Sequence, residues 1–115
     1  MSSYDTGRQA EQAAATYLEM RGYKVLERNW RRPRCEIDVI ALKDDVIYFV
    51  EVKYRANDDQ GSGFDAITTS KLKKMQYAAD YWVEESKWRG EYSLAAIELA
   101  GRDFTVLSFI DSVLV

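Results

Sequence analysis

The chain has 115 residues, 47% of them hydrophobic and 30% charged. That is the composition of one folded domain, 1–115, able to build its own core, and neither a disordered tail nor a membrane span. Its formal net charge is -3, and it contains no histidine and one cysteine. These counts exclude Ser-His-Asp and Cys-His nucleophile systems, imidazole- or cysteine-based zinc sites and internal disulfides. No signal-peptide pattern opens the chain, so a cytoplasmic setting without membrane contact is expected.

In chain order, Ser2-Ser3 and Asp5 predict the cap of a helix running to about Met20, with Gly22 closing it in the left-handed region. Its apolar stripe is Ala10, Ala13, Ala14, Tyr17 and Leu18, bordered by Glu11. "YKVLERNW" predicts a strand and "RRPR" a loop. Two strands follow at about Glu36–Leu42 and Val46–Tyr54, and then a glycine- and Asx-rich loop, "ANDDQGSGFD". Apolar spacing at Leu72, Met75, Ala79, Trp82 and Val83 predicts a second helix over roughly Asp65–Lys87, closed by Gly90. "YSLAAIEL" and "FTVLSFI" predict two last strands around an "AGRD" turn. The order is α-β-β-β-α-β-β.

The middle hairpin carries the chemistry. With Asp44-Asp45 as a two-residue turn, opposed residues have numbers summing to 89. Asp38 then faces Glu51, and Glu36 faces Lys53, while Ile37, Val39, Val50 and Val52 share the other face as core. A three-residue turn with a bulge would shift this register, but only the first register gathers the four aliphatics. Two opposed carboxylates repel, and burial makes the repulsion worse. Either one carboxyl is protonated, or a divalent cation sits between them; Mg²⁺ (or Mn²⁺) accepts such a site. Lys53 would hold a water or a phosphate beside that cation, and Glu11 would be a further ligand or orient the water. The bland alternative is a salt-bridged sheet surface with an ordinary helix glutamate. Trp30, Trp82 and Trp88 read as core or rim and Cys35 as a small buried residue.

Basic residues cluster at Arg21, Lys24, Arg28, Arg31, Arg32 and Arg34, and again at Lys71, Lys73 and Lys74. The spacing of the three lysines spans both faces of a helix turn, so only some of them would meet one ligand.

Asp38 with Glu51-Val52-Lys53 resembles the core motif of the PD-(D/E)xK nuclease superfamily. More closely, "GRQAEQAAATYL", "GYKVLERNWR", "EIDVIA", "YFVEVKYR" and "KLKKMQYAADYW" resemble the YraN family of small bacterial proteins, relatives of Holliday-junction resolvases. The resemblance spans most of residues 7 to 88 and is weak in the last strands. Ala10 and Cys35 stand where that family usually has glycine. The resemblance implies an α/β, restriction-endonuclease-like fold, an α-β-β-β-α-β core whose mixed central sheet is flanked by helices. It implies a metal-dependent nuclease acting on branched or structured DNA. Asp38, Glu51 and the Val52 main-chain carbonyl would ligate the metal, Lys53 would position or activate the attacking water, and Glu11 would be the acid from the helix. Lys71 and Arg55 would contact phosphates. By analogy with resolvases, a homodimer would pair two sites. The rival expectation is a non-catalytic nucleic-acid-binding module on the same fold, binding through Arg28, Arg31, Arg32 and Lys71. A third is a protein-interaction scaffold, which suits the acidic net charge.

Overall fold

The computed structural model describes the backbone of residues 3–56 and 67–113. Helix α1 (Ser3–Met20) precedes strands β1 (Lys24–Arg32), β2 (Cys35–Lys43) and β3 (Val46–Arg55). Helix α2 (Thr69–Ser86) leads to β4 (Glu91–Ala100) and β5 (Thr105–Ile110). The expected order of elements is therefore observed. The predicted helix cap at Ser2 and the start of the second helix at Asp65 lie outside the described residues.

The strands form one sheet in the order β1-β2-β3-β4-β5. All neighbours are antiparallel except β3 and β4, which run parallel. A parallel pair cannot be closed by a tight turn, so the chain must cross over, and α2 makes that crossing. The helices lie on opposite faces of the sheet. Ala14 and Leu18 of α1 pack on Val39, Val50, Ile97 and Leu99. Ala78, Ala79 and Trp82 of α2 pack on Ile40, Ile47 and Phe49.

Local chemistry accounts for the ends of these elements. The alanine-rich α1 is a strong helix former. It ends where the Tyr23 N–H returns to the Leu18 carbonyl (3.0 Å) and Gly22 takes φ +92°, a conformation that favours glycine. Thr68 caps α2 by accepting the Lys71 N–H at 3.1 Å. The far end of α2 is closed by Lys87 at φ 62°, not by Gly90. Gly90 answers a different constraint: a Cβ there would stand 2.6 Å from the Trp88 ring. Asp44 and Asp45 both have positive φ, 51° and 64°, the signature of a two-residue type I′ hairpin turn. β1 runs on through Arg31 and Arg32, so the predicted "RRPR" loop shrinks to a turn at Pro33-Arg34.

Leu18 is completely buried, whereas Met20, one half-turn on, is 83% exposed. Leu18→Ala is expected to lower unfolding free energy by about 3 kcal/mol. Met20→Ala should change it by less than about 0.5 kcal/mol. Urea denaturation of the two variants checks both values.

Candidate functional site

The β2–β3 ladder follows the expected register from Lys43↔Val46 to Val39↔Val50, and there it stops. The expected facing of Asp38 with Glu51, and of Glu36 with Lys53, is thus not part of the ladder. The β1–β2 ladder skips the same level: it passes from Arg28↔Val39 to Trp30↔Ile37, omitting Asn29 and Asp38. Asn29 stands at φ 55°, which breaks the alternation of β1. Trp30 and Ile37 consequently turn to the α2 side and pack with Phe49 and Trp82. The expectation that Ile37 shares a face with Val39, Val50 and Val52 is corrected by this break. Glu36 looks across β1 instead, 3.5 Å from Arg31.

At the break the Asp38 side chain takes over a main-chain role. Its Oδ2 accepts the Val52 N–H at 2.8 Å. This holds the start of β2 against the end of β3 while the strands part, and the gap opens as a groove beside α2. The groove has a volume of about 830 Å³ and is lined by Asp38, Glu51, Arg34, Lys71, Lys73 and Lys74 among others. Lys53 lies further along the same face, with Glu51 and the first turn of α2. The polar face predicted for Asp38, Glu51 and Lys53 is therefore present, although these residues lie just beyond the end of the ladder that follows the expected register.

The electrostatics are those of a strained acid pair. Burial, and then the charge of Glu51, push the Asp38 carboxyl from its usual 3.8 up to about 7, against the lowering effect of the Val52 hydrogen bond. Glu11 and Glu36 add to the upward push. Lys71 answers part of this charge: its Nζ lies 2.8 Å from Oε2 of Glu51. Burial works to lower the Lys71 ammonium, but the Glu51 hydrogen bond and the charges of Glu51, Asp38 and Glu36 carry it upward overall. Glu11, half-buried on α1, is raised by desolvation against the pull of Arg28, Arg31 and Arg8. It acts on Asp38 through its charge and is not among the described residues that line the groove.

The predicted phosphate-binding residues do not converge on one surface. Arg28 donates to Gln12 of α1 (2.8 Å). Arg31 leans on Asn29 (3.0 Å) and Glu36. Arg32 pairs with Glu85 of α2 and stacks over Trp30. Arg55 donates Nε to the fully buried Glu98 at 2.5 Å, which makes it an internal ion pair. Lys71 alone of that set lines the groove, and it is joined there by Arg34, Lys73 and Lys74. The three lysines, expected to divide between helix faces, all reach the groove because it wraps the exposed shoulder of α2. Cys35 is half-buried at the groove's edge rather than in the core, and burial raises its thiol. Trp30 and Trp82 are core, as expected, and Trp88 packs against the same cluster.

The donor set suits a hard cation: two carboxyl groups, one held toward its protonated form and the other paired with a lysine as counter-charge. Among the described residues no group of three His, Cys, Asp or Glu side chains is close enough to hold a metal. Such a cation would therefore keep several waters, as Mg²⁺ commonly does.

The fold and groove define an α/β protein with a half-buried carboxylate pair beside a lysine-rich helix. The chain belongs to the uncharacterised protein family UPF0102, whose profile matches residues 10–109, from within α1 into β5. It is 33% identical over 106 residues to a UPF0102 protein of Cytophaga hutchinsonii, covering 92% of this chain and 94% of that protein. It is 43% identical over 91 residues to one from Sulfurihydrogenibium, covering 79% of each. With one from Prosthecochloris aestuarii it shares 47% identity over 72 residues, 63% of this chain and 57% of that protein. Among the described residues no helix is long and apolar enough to cross a membrane.

The raised Asp38 carboxyl has a signed consequence for stability. The folded protein holds a proton there that the unfolded chain gives up, so stability is lost as pH rises from about 3.8 to about 7. Asp38→Asn keeps an oxygen for the Val52 N–H and removes the charge. In metal-free buffer at pH 8 it is expected to be more stable than wild type by about 2–4 kcal/mol. The difference should vanish near pH 3.5. Thermal melts of both proteins across that range test the assignment.

Proposed function

We propose that this chain is a Mg²⁺-dependent endonuclease that hydrolyses phosphodiester bonds in branched or structured DNA. The carrying observation is the groove itself: Asp38 and Glu51 held together at a deliberate break in the sheet, with Lys53 on the same strand face as Glu51 and Lys71 above it. The resemblance of Asp38 and Glu51-Val52-Lys53 to the PD-(D/E)xK superfamily, and of the longer segments to the YraN family, supports the same reading. Asp38, Glu51 and the main-chain carbonyl of Val52 would hold the metal. When bound, it would supply a nucleophilic water at neutral pH and stabilise charge on the phosphate.

The chain's own residues do the rest. Asp38 and Glu51 are partly buried, and a cation bound between them would offset their charge and favour the approach of a phosphate. Lys53 lines the adjoining pocket with Glu51 and the start of α2 and would orient the phosphate or the attacking water. Lys71 is a partly exposed counter-charge that would leave Glu51 to meet a phosphate, at little cost for such a pair. Glu11 tunes Asp38 from the opposite helix. Arg34, Lys73 and Lys74 supply the diffuse positive charge that draws a backbone in.

One observation favours a second reading, a non-catalytic nucleic-acid-binding module. Lys71 already neutralises Glu51, so the site has an internal substitute for a metal. Calorimetry separates the two readings. The nuclease reading expects heat on adding Mn²⁺ to wild type and none with Glu51→Gln. It also expects cleavage of four-way, flap or linear DNA with Mg²⁺ or Mn²⁺, reduced about a hundredfold or more in Asp38→Ala and Lys53→Ala. Wild type that cleaves none of the three, or an Asp38→Ala protein that cleaves equally well, sinks it. Salt-sensitive DNA binding without metal heat establishes the second reading.

A further inference from the structure

Helix α2 presents a second feature to the groove. Tyr77 lines the groove and is 49% exposed, and Tyr81, one turn on, is 37% exposed. Residues four apart on a helix lie one above the other, and these two rings sit 6.5 Å apart between centroids. Tyr81 is in turn braced edge-to-face against buried Trp30 at 5.9 Å. The Arg32 guanidinium covers Trp30 at 4.6 Å. The result is an aromatic ridge running from the acid pair along α2, fixed from below and open above. Two neighbouring rings exposed to this extent offer an aromatic surface to a partner.

The charge at the groove end of the ridge selects the occupant; at the far end Arg32 is already paired with Glu85. The groove end carries Arg34, Lys73 and Lys74, three exposed cations, while the rings themselves offer flat apolar faces. Cations tracking a backbone beside stacked aromatics are the two requirements for holding a single strand with its bases unstacked. A duplex keeps its base faces hidden and has no use for the rings.

We propose that Tyr77 and Tyr81 form a stacking platform for unpaired bases, so that the strand crossing the acid pair is held as single-stranded DNA. This rests on the proposed function for the nature of the ligand and narrows the substrate class to DNA with an unpaired segment at the groove. Tyr81 is pre-organised by Trp30, so little conformational entropy is lost when a base stacks on it.

The test reads binding, not cleavage, with full-length protein in EDTA. The probes are a fluorescent 12-nucleotide single strand, the same strand with tetrahydrofuran abasic sites, and the matching duplex. Wild type is expected to bind the normal strand more tightly than the abasic one. Tyr77→Ala and Tyr81→Ala should each weaken the normal strand about tenfold and leave the abasic strand unchanged, while Tyr77→Phe and Tyr81→Phe retain wild-type binding. The proposal is overturned if the alanine variants bind the normal strand as wild type does, which would leave the ridge to a protein partner. Equal loss on normal and abasic strands, or wild type ignoring the single strand, overturns it as well. Cleavage failing while base-dependent binding holds would overturn the hydrolytic reading and leave this one standing.

Discussion

The hydrogen bond from the Val52 N–H to the Asp38 carboxylate joins two things that would otherwise exclude one another. It keeps the hairpin closed at the level where its ladder has ended, and it places a second carboxylate beside Glu51. The bond favours the ionised form of Asp38, but burial and Glu51 outweigh it, and the carboxyl rises to about 7. The sheet therefore holds an unfavourable acid pair at the level where β2 loses its pairing with both β1 and β3, while β3 stays paired to β4 throughout. Regular pairing would have given each residue a main-chain partner and left no groove.

The surrounding fold keeps that arrangement from collapsing. Val39, Val50, Ile97 and Leu99 are fully buried against α1, so the sheet is anchored from behind. The parallel β3–β4 pair forces α2 across the front face, and the start of α2 arrives above Glu51 with Lys71 in reach. Topology delivers the counter-charge: a hairpin in place of the crossover would have brought no helix there. The internal Arg55–Glu98 pair belongs to the same face. It removes from solvent a cation that sequence position alone would assign to a ligand.

The element order and the β2–β3 register were legible because hydrophobic alternation and the Asp44-Asp45 turn state them locally. Asp38, Glu51 and Lys53 could be placed on one face for the same reason. The break at Asn29 and Asp38 was not legible, since positive φ at an asparagine inside a strand leaves no periodic trace. With the break unseen, Ile37 was assigned to the wrong face. The fate of the arginines was also hidden, because their partners, Gln12, Glu85 and Glu98, lie 16 to 53 residues away along the chain. Tyr77 and Tyr81 did carry a signal, a four-residue spacing outside the apolar stripe of α2, which reads as an exposed pair once the stripe is drawn.

The division of labour follows from which charges are already spent. Arg28, Arg32 and Arg55 each have an internal partner, and moving them would cost a hydrogen bond as well as a charge pair. Lys73, Lys74 and Arg34 are exposed at the groove, and Lys71 is held only by a partly exposed ion pair. A net charge of -3 therefore says little about this surface, because acid and base are sorted within it. The acids line the groove, where burial and their mutual repulsion push Asp38 toward its protonated form. Lys73 and Lys74 stand exposed on its rim, and Lys71 is drawn inward by Glu51. Acid and base thus meet at one groove, each partly offsetting the other, as the ion pair between Glu51 and Lys71 shows.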